Sequence, residues 1–416
     1  MPAMRRVAVA VLVLAGSLFA QEQQQAPLGL WNGTIQSRAG EVNFGVDIEA
    51  AGTGALKATL VNATDRQAFS SAEWHDGQLT LRMNYYDGEL VLHRSAPQKL
   101  EGEYSRQTSK GMVHIPVALV PSTGSGHAWN GPSLAGDWIF TWPEEKGAEN
   151  TTRASFQQNS YHVTGTIQPV SGDTGLLHGD LSSSADGKTR FHLSRFDGIH
   201  VIALDGEILP DGSLKGHQGG VKALEEFTAV RANDTKTADP NALAETLTHV
   251  KDPGQPFQFH GLDASGKVLD QDSPWFKGKA MIVDIFGTWC PNCHDEAPVL
   301  EKLYRKYHDQ GLEIVGLAYE YVDDTPRNLK QIEIYRQKFG LTFPLLLSGT
   351  TDAGQIAKTL PQLVGFGAFP TSIFIDRSGH VHAILAGFTG PSTGQKFQEV
   401  QQRMDELTRQ IVSSSK

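Results

Sequence analysis

The chain contains two cysteines, Cys290 and Cys293, both inside FGTWCPNCHDEAP, which runs from Phe286 to Pro298. Several chemistries use such a pair. Two thiols one helical turn apart can cycle with a disulfide. The same letters, completed by His294, fit C-x-x-C-H, the pattern for covalent attachment of a c-type haem. Thiolates also bind zinc, but a closed site wants four ligands. His380 and His382 share one strand face, yet no second C-x-x-C and no H-x-x-x-H stands elsewhere, so a surface hairpin explains them. A peroxidatic cysteine would want a threonine three residues earlier, where this chain has Gly287. Stabilising disulfides in exported proteins join distant segments. These cysteines are three residues apart, so they brace nothing and mark one site.

Exchange runs through the thiolate, so the attacking sulfur must sit where an anion is favoured. AMIVDIF (Ala280 to Phe286) is a continuous apolar run with one acid, the pattern of a buried central strand. PNCHDEAPVLEKLYRKYHDQ has helical spacing at Val299, Leu300, Leu303, Tyr304 and Tyr307, and ends before Gly311. Cys290 therefore falls between a strand end and a first helical turn, where free N–H groups and the helix dipole favour negative charge. Pro291 suits that turn, since its missing N–H costs nothing there. Cys293 lies one turn on, on the same face, and can close onto Cys290. Cys290 is thus the expected exposed nucleophile and Cys293 the buried resolving thiol. Asp284, flanked by Val283 and Ile285, is an acid that is costly to bury and should hold its proton unusually tightly. Acting through a water, it is the candidate base for Cys293. Glu320, at the end of the buried strand LEIVGLAYE, is a candidate second acid for the same cavity. In GAFPTSIFID, the residues Phe369, Pro370 and Thr371 precede a strand, where X-Pro is a turn and only occasionally cis.

The remaining elements are LDASGKVLDQ as a hairpin, TPRNLKQIEIYRQKFG as a helix with Thr325 as N-cap and Gly340 as terminator, FPLLL as a short strand, a hairpin turning at Arg377 to Gly379, and a closing helix. This order mixes parallel and antiparallel strands, with helices on both faces of the sheet.

The rest of the chain differs in character. At 416 residues it is too long for one ordinary core. Its 43 glycines and 20 prolines suit many turns and much β structure. A net charge of −10 offers no basic surface for nucleic acid. Arg5 and Arg6 precede the apolar run Val7 to Ala20, which is 14 residues long, reads as a secretory signal over residues 1–20, and is short of a spanning helix. Cleavage after Ala20 or after Ser17 fits, and an uncut membrane anchor is the alternative. From Leu28 to Arg231 the sequence reads as short alternating strands and Gly, Asp and Asn turns. LTLRMNYYDG at Leu79 is echoed by TRFHLSRFDG at Thr189, LEGEY at Leu100 by LKGHQ at Leu214, and Trp31 by Trp138, at offsets of 107 to 114. The ordered echoes indicate a duplicated antiparallel all-β domain, barrel or sandwich, over residues 28–121 and 133–231. Both tryptophans are read as packing residues. Residues 232–253 read as a linker and 254–412 as the redox domain.

From about Pro256 to Ile411 the chain resembles the thioredoxin superfamily, and within it the TlpA/ResA-like exported thiol-disulfide oxidoreductases. FKGKAMIVDIFGTWCPNCHDEAPVLEKLYRKY carries the likeness to that family's strand, W-C-x-x-C and first helix. The resemblance implies a thioredoxin-like α/β fold and thiol-disulfide oxidoreductase activity through a Cys290–Cys293 couple, with no other cofactor and no metal. Trp289 stands at the family's tryptophan, Pro370 at its cis-proline, Asp284 at the buried acid of thioredoxin, and Glu320 near the buried glutamate of the ResA group. Phe369, Pro370, Thr371 and Trp289 would border the substrate. The resemblance favours a reductase fed by a membrane thiol carrier and acting on disulfide-bearing client proteins, apocytochrome c among the candidates. Asn292 departs from the commoner C-x-x-C dipeptides. The rival readings are a peroxiredoxin-like peroxidase, a β-domain binding module that carries a redox domain, and haem attachment, which would need an open pocket beside His294. The β repeats lie outside the resemblance.

Overall fold

The structure is a computed structural model and describes residues 25–52, 54–122, 128–143, 151–232 and 248–414. The expected signal segment and most of the residue 232–253 linker lie outside the described residues.

Alternation builds the N-terminal half. In Gly29–Ser37 every second side chain from Trp31 is buried, and the following strands keep the pattern. Strands pair antiparallel with their chain neighbours, and the first strand also pairs with the last, Gly111–Pro121. Gly40–Ala50 pairs with Leu56–Asn62, so the sheet closes on itself, with the short Asp65–Ala68 on the outer side of Leu56–Asn62. Closure removes the free edges that an open sheet would expose. Residues Gly136 to Arg231 form a second closed barrel of eight antiparallel strands.

The barrels share several features at matching strands. Trp31 lies opposite Pro121 on the last strand of its barrel, and Trp138 lies opposite Arg231 on the last strand of the other. Each indole N–H donates to a carbonyl four residues earlier, Pro27 O at 2.9 Å and Leu134 O at 2.8 Å. Both rings are buried. The echoed stretches at Leu79 and Thr189 occupy matching strands, as do those at Leu100 and Leu214. The barrels also pack together. Asn62 Nδ2 donates to Phe196 O at 2.9 Å, Tyr104 Oη to Gly198 O at 2.7 Å, and Arg195 pairs with Asp65 at 2.8 Å.

The C-terminal sheet has seven strands, with Ala280–Phe286 near its centre. That strand is parallel to Leu312–Glu320 and antiparallel to Thr371–Ile375. Ala280, Ile282 and Phe286 face the helices Pro291–Tyr307, Thr325–Phe339 and Gln395–Ser413, while Met281, Val283 and Ile285 face the opposite layer. By the same period of two, Asp284 points to the three-helix side.

Three local expectations are corrected. The N-cap of Thr325–Phe339 is Asp324, whose carboxylate accepts from Arg327 N at 3.1 Å; Thr325 is the first helical residue. A carboxylate one residue earlier takes the free N–H that Thr325 was expected to cap. A seven-residue helix, Ala353–Thr359, capped by Asp352, was not expected, because so short a segment carries little periodicity. The end of the linker is also structured: His249–Val250 pairs with Leu363–Val364.

Candidate active site

Cys290 is the N-cap of Pro291–Tyr307, and its Sγ accepts from Cys293 N at 3.3 Å. The helix starts here because Pro291 fits its first turn and the sulfur takes an N–H that the helix cannot satisfy internally. Both cysteines are free thiols. Cys293 is 1% exposed, and burial, then its hydrogen bond to Cys290, pushes its thiol well above the ordinary range. Cys290 is not the exposed sulfur expected: it is 4% exposed and lies 3.5 Å from Phe369 O.

Behind the thiols stand two acids. Asp284 and Glu296 are both buried, and each bears on the other's ionisation. Burial raises both carboxyls. Asp284 is pushed well up, with the charges of Glu296 and Cys290 adding to the effect, and Glu296 is pushed up to about 7. Ser372 Oγ donates to Glu296 Oε1 at 2.8 Å, while Asp284 Oδ1 and Glu296 Oε2 are buried without a hydrogen-bond partner among the described residues. The second acid beside Asp284 is therefore Glu296, not Glu320. Sequence reasoning passed over Glu296, although it lies one helical turn beyond Cys293 on the face that carries the thiols.

Glu320 is buried elsewhere. Its two oxygens accept from Thr288 N at 3.0 Å and Thr288 Oγ1 at 2.9 Å, fixing the backbone two residues before Cys290. It positions the site. Trp289 donates from Nε1 to Tyr319 O at 2.9 Å and stacks on Tyr321. The Phe369–Pro370 peptide is cis. Thr371 does not border an open substrate groove as expected: it is fully buried, its Oγ1 donates to Ala368 O at 2.8 Å, and its strand is paired on both sides. Pro370 O is likewise taken, by Gly387 N at 2.8 Å.

Comparison with known proteins accounts for this arrangement. The Redoxin family model matches residues 249–401. Thiol-disulfide oxidoreductase ResA of Bacillus thuringiensis subsp. konkukian (strain 97-27) is 31% identical over 137 residues, 33% of this chain and 69% of that protein. The chain belongs to the ResA family of thiol-disulfide oxidoreductases. ResA of Bacillus thuringiensis (strain Al Hakam) is 33% identical over 125 residues, 30% of this chain and 64% of that protein. Among solved structures, a thiol:disulfide interchange protein of Chlorobium tepidum TLS aligns with 38% of this chain and 99% of its own at 23% identity, with a TM-score of 0.28.

The ResA-type domain does not stand alone. In the first barrel, the turn Asn84–Tyr86 packs on it: Tyr86 stacks on the His294 ring at 4.5 Å, Gln331 Nε2 donates to Asn84 O at 3.0 Å, and Asp87 pairs with Arg327 at 2.5 Å. Lys338 Nζ sits 3.5 Å over the Tyr85 ring and 3.1 Å from His294 Nδ1. His294 Nε2 lies 2.7 Å from Thr288 O. An ammonium can only donate, so Nδ1 accepts and Nε2 carries the hydrogen. Burial and Lys338 keep the ring neutral, and both nitrogens are engaged, leaving none for a haem iron. From the second barrel, Asp173 accepts from Gly390 N at 2.5 Å and Ser392 Oγ at 2.6 Å, and Asn292 Nδ2 reaches Ser171 O at 3.5 Å. Asp295 is pushed up to about 7, by burial and then by Asp173. Gly172, at φ +142°, lets this loop approach: a Cβ there would stand 2.0 Å from Asn292 Nδ2 and 2.7 Å from Phe388 O. Cys290 is covered: the Phe369 carbonyl lies against its sulfur, and Tyr86 of the first barrel stacks on His294, four residues further along the same helix. Among the described residues no cluster of three metal-ligating side chains occurs.

Proposed function

We propose that this protein is an exported disulfide reductase in which Cys290 attacks and Cys293 resolves. The observation that carries the reading is the Cys290 sulfur at the helix start, receiving the Cys293 N–H, with a buried thiol and two buried acids behind it. Cys290 thiolate attacks one sulfur of a client disulfide; that S–S bond breaks, and the client's other sulfur leaves as a thiolate. Cys293 then gives up its proton, for which the buried carboxyls Asp284 and Glu296 are the candidate acceptors, and attacks Cys290 Sγ. The mixed disulfide breaks, the client departs with two electrons and two protons gained, and the protein holds a Cys290–Cys293 disulfide. A membrane thiol carrier returns the electrons, and no other cofactor is needed. Export rests on Arg5, Arg6 and the apolar run to Ala20; no helix among the described residues is long and apolar enough to cross a membrane.

Cys293→Ser should accumulate a covalent mixed disulfide with a disulfide-bonded client protein through Cys290, and Cys290→Ser should accumulate none. Trapping that needs Cys293 instead would reverse the roles and sink this assignment.

A further inference from the structure

A cavity of about 320 Å³ lies where the second barrel meets the redox domain. Its floor is one end of the barrel interior. Gln218 follows Leu214 and Gly216 on the inward face of Leu214–Gly219, and Glu225 precedes Phe227 and Ala229 on the inward face of Leu224–Arg231. The two are direct cross-strand partners. An amide and an acid thus stand at positions where strand alternation otherwise points apolar side chains at Trp142 and Ile167. Gln218 Oε1 is buried without a hydrogen-bond partner among the described residues, and the half-buried Glu225 stands directly across from it. A barrel end built only for stability would not leave that amide oxygen unanswered.

The opposite wall belongs to the redox domain. Gly365, Gly367 and Ala368 line it, and the next residue after Ala368 presents the carbonyl that meets Cys290 Sγ at 3.5 Å. Ser171, which takes Asn292 of the C-P-N-C turn, lines it as well. One residue separates the cavity wall from the reacting sulfur.

We infer that this cavity is a client subsite: it receives a lysine or arginine side chain lying close in sequence to the half-cystine under attack. An unmatched amide oxygen beside a carboxylate, over an apolar floor, asks for a long side chain that ends in charged donors. A protein of net charge −10 also draws basic segments toward it. The volume is at the lower end of the roughly 300–1,000 Å³ that ligand sites occupy. The inference rests on the exchange activity at Cys290 and adds its selectivity.

The test compares disulfide-bonded peptides that differ only in Lys, norleucine or Glu near the cysteine, on either side of it, with a small aromatic disulfide as a control that cannot reach the cavity. The full-length reduced protein should reduce the lysine peptides about tenfold faster than the norleucine peptides, the worth of one charge-assisted hydrogen bond. Glu225→Gln should erase most of that ratio and Glu225→Lys should invert it in favour of the glutamate peptides. Both variants should keep the wild-type rate on the small disulfide, which also reports that they are folded. Equal rates for all peptides in wild type, or a lysine preference that survives Glu225→Lys, overturn the subsite while leaving the redox reading intact. Loss of activity on the small disulfide in wild type would overturn both.

Discussion

Replacing Glu296 by glutamine tests the acid pair directly. In the folded chain Glu296 titrates at about 7 against an ordinary 4.5. Because the folded value is the higher one, the stability tied to its neutral form is complete below about pH 4.5 and is lost as pH rises toward 7. Carried from 4.5 to about 7, the carboxyl accounts for about 3 kcal/mol, most of it lost between pH 5 and pH 8. Glutamine has no such titration and can still accept from Ser372. The stability of Glu296→Gln relative to its parent should therefore climb by about 2–3 kcal/mol across that pH interval.

A whole-chain melt would mix three domains, so the opening of this one needs its own reporter. Cys293 is 1% exposed and sits beside the pair, and a reagent can reach it only when the domain opens. Urea-dependent alkylation of Cys293, in a Cys290→Ser background shared by parent and variant, isolates that opening at each pH. A difference between the two that stays constant from pH 5 to pH 8 would mean that Glu296 ionises normally, and the account of a buried, raised carboxyl would fall. With Cys293 present, the same substitution should slow resolution of the mixed disulfide above pH 7, since a neutral amide takes no proton from Cys293.

Two further outcomes follow from the contacts around the thiols. Tyr86→Ala removes the ring stacked on His294 and should raise the alkylation rate of native Cys290 several-fold, about the gain expected from opening a buried thiol; an unchanged rate would show that the first barrel does not cover the sulfur. Glu320→Ala leaves Thr288 N and Oγ1 buried without an acceptor and should lower stability by about 2–3 kcal/mol and slow exchange, whereas Glu320→Gln, which keeps an acceptor, should recover most of both in urea titration and in turnover of a small disulfide.

The redox domain was largely legible because its signals are local. An apolar run with a single acid makes a buried strand, and cysteine-proline at its end makes a helix start, without knowledge of the rest of the chain. The all-β character of the N-terminal half was legible from its alternation and turns, and the echoed stretches fall on matching strands of the two barrels. Partner identity at long range was not. Asp284 faces Glu296 across a strand–helix packing, and nothing near Asp284 in sequence says whether Glu296 or Glu320 will arrive there. Glu320 ends a strand adjacent to that of Asp284, so proximity in the sheet made it attractive. The residue that reaches Asp284 instead comes from the helix packed on the sheet face. Tyr85, Tyr86 and Ser171 were invisible for a harder reason: a turn that docks on another domain reads like any exposed turn, and Asn-Tyr-Tyr-Asp-Gly carries no sign of what it covers.

The docking also changes what His294 means. In sequence it completed a haem motif; in the fold it joins two domains, with Thr288 on one nitrogen, Lys338 on the other and Tyr86 on its face. Thr288 is held in turn by Glu320, and the next two residues are Trp289 and Cys290. The first barrel is thereby tied, through the ring of His294 and the carbonyl of Thr288, to the backbone that carries Cys290, a connection between domains that no local stretch of the sequence could have disclosed.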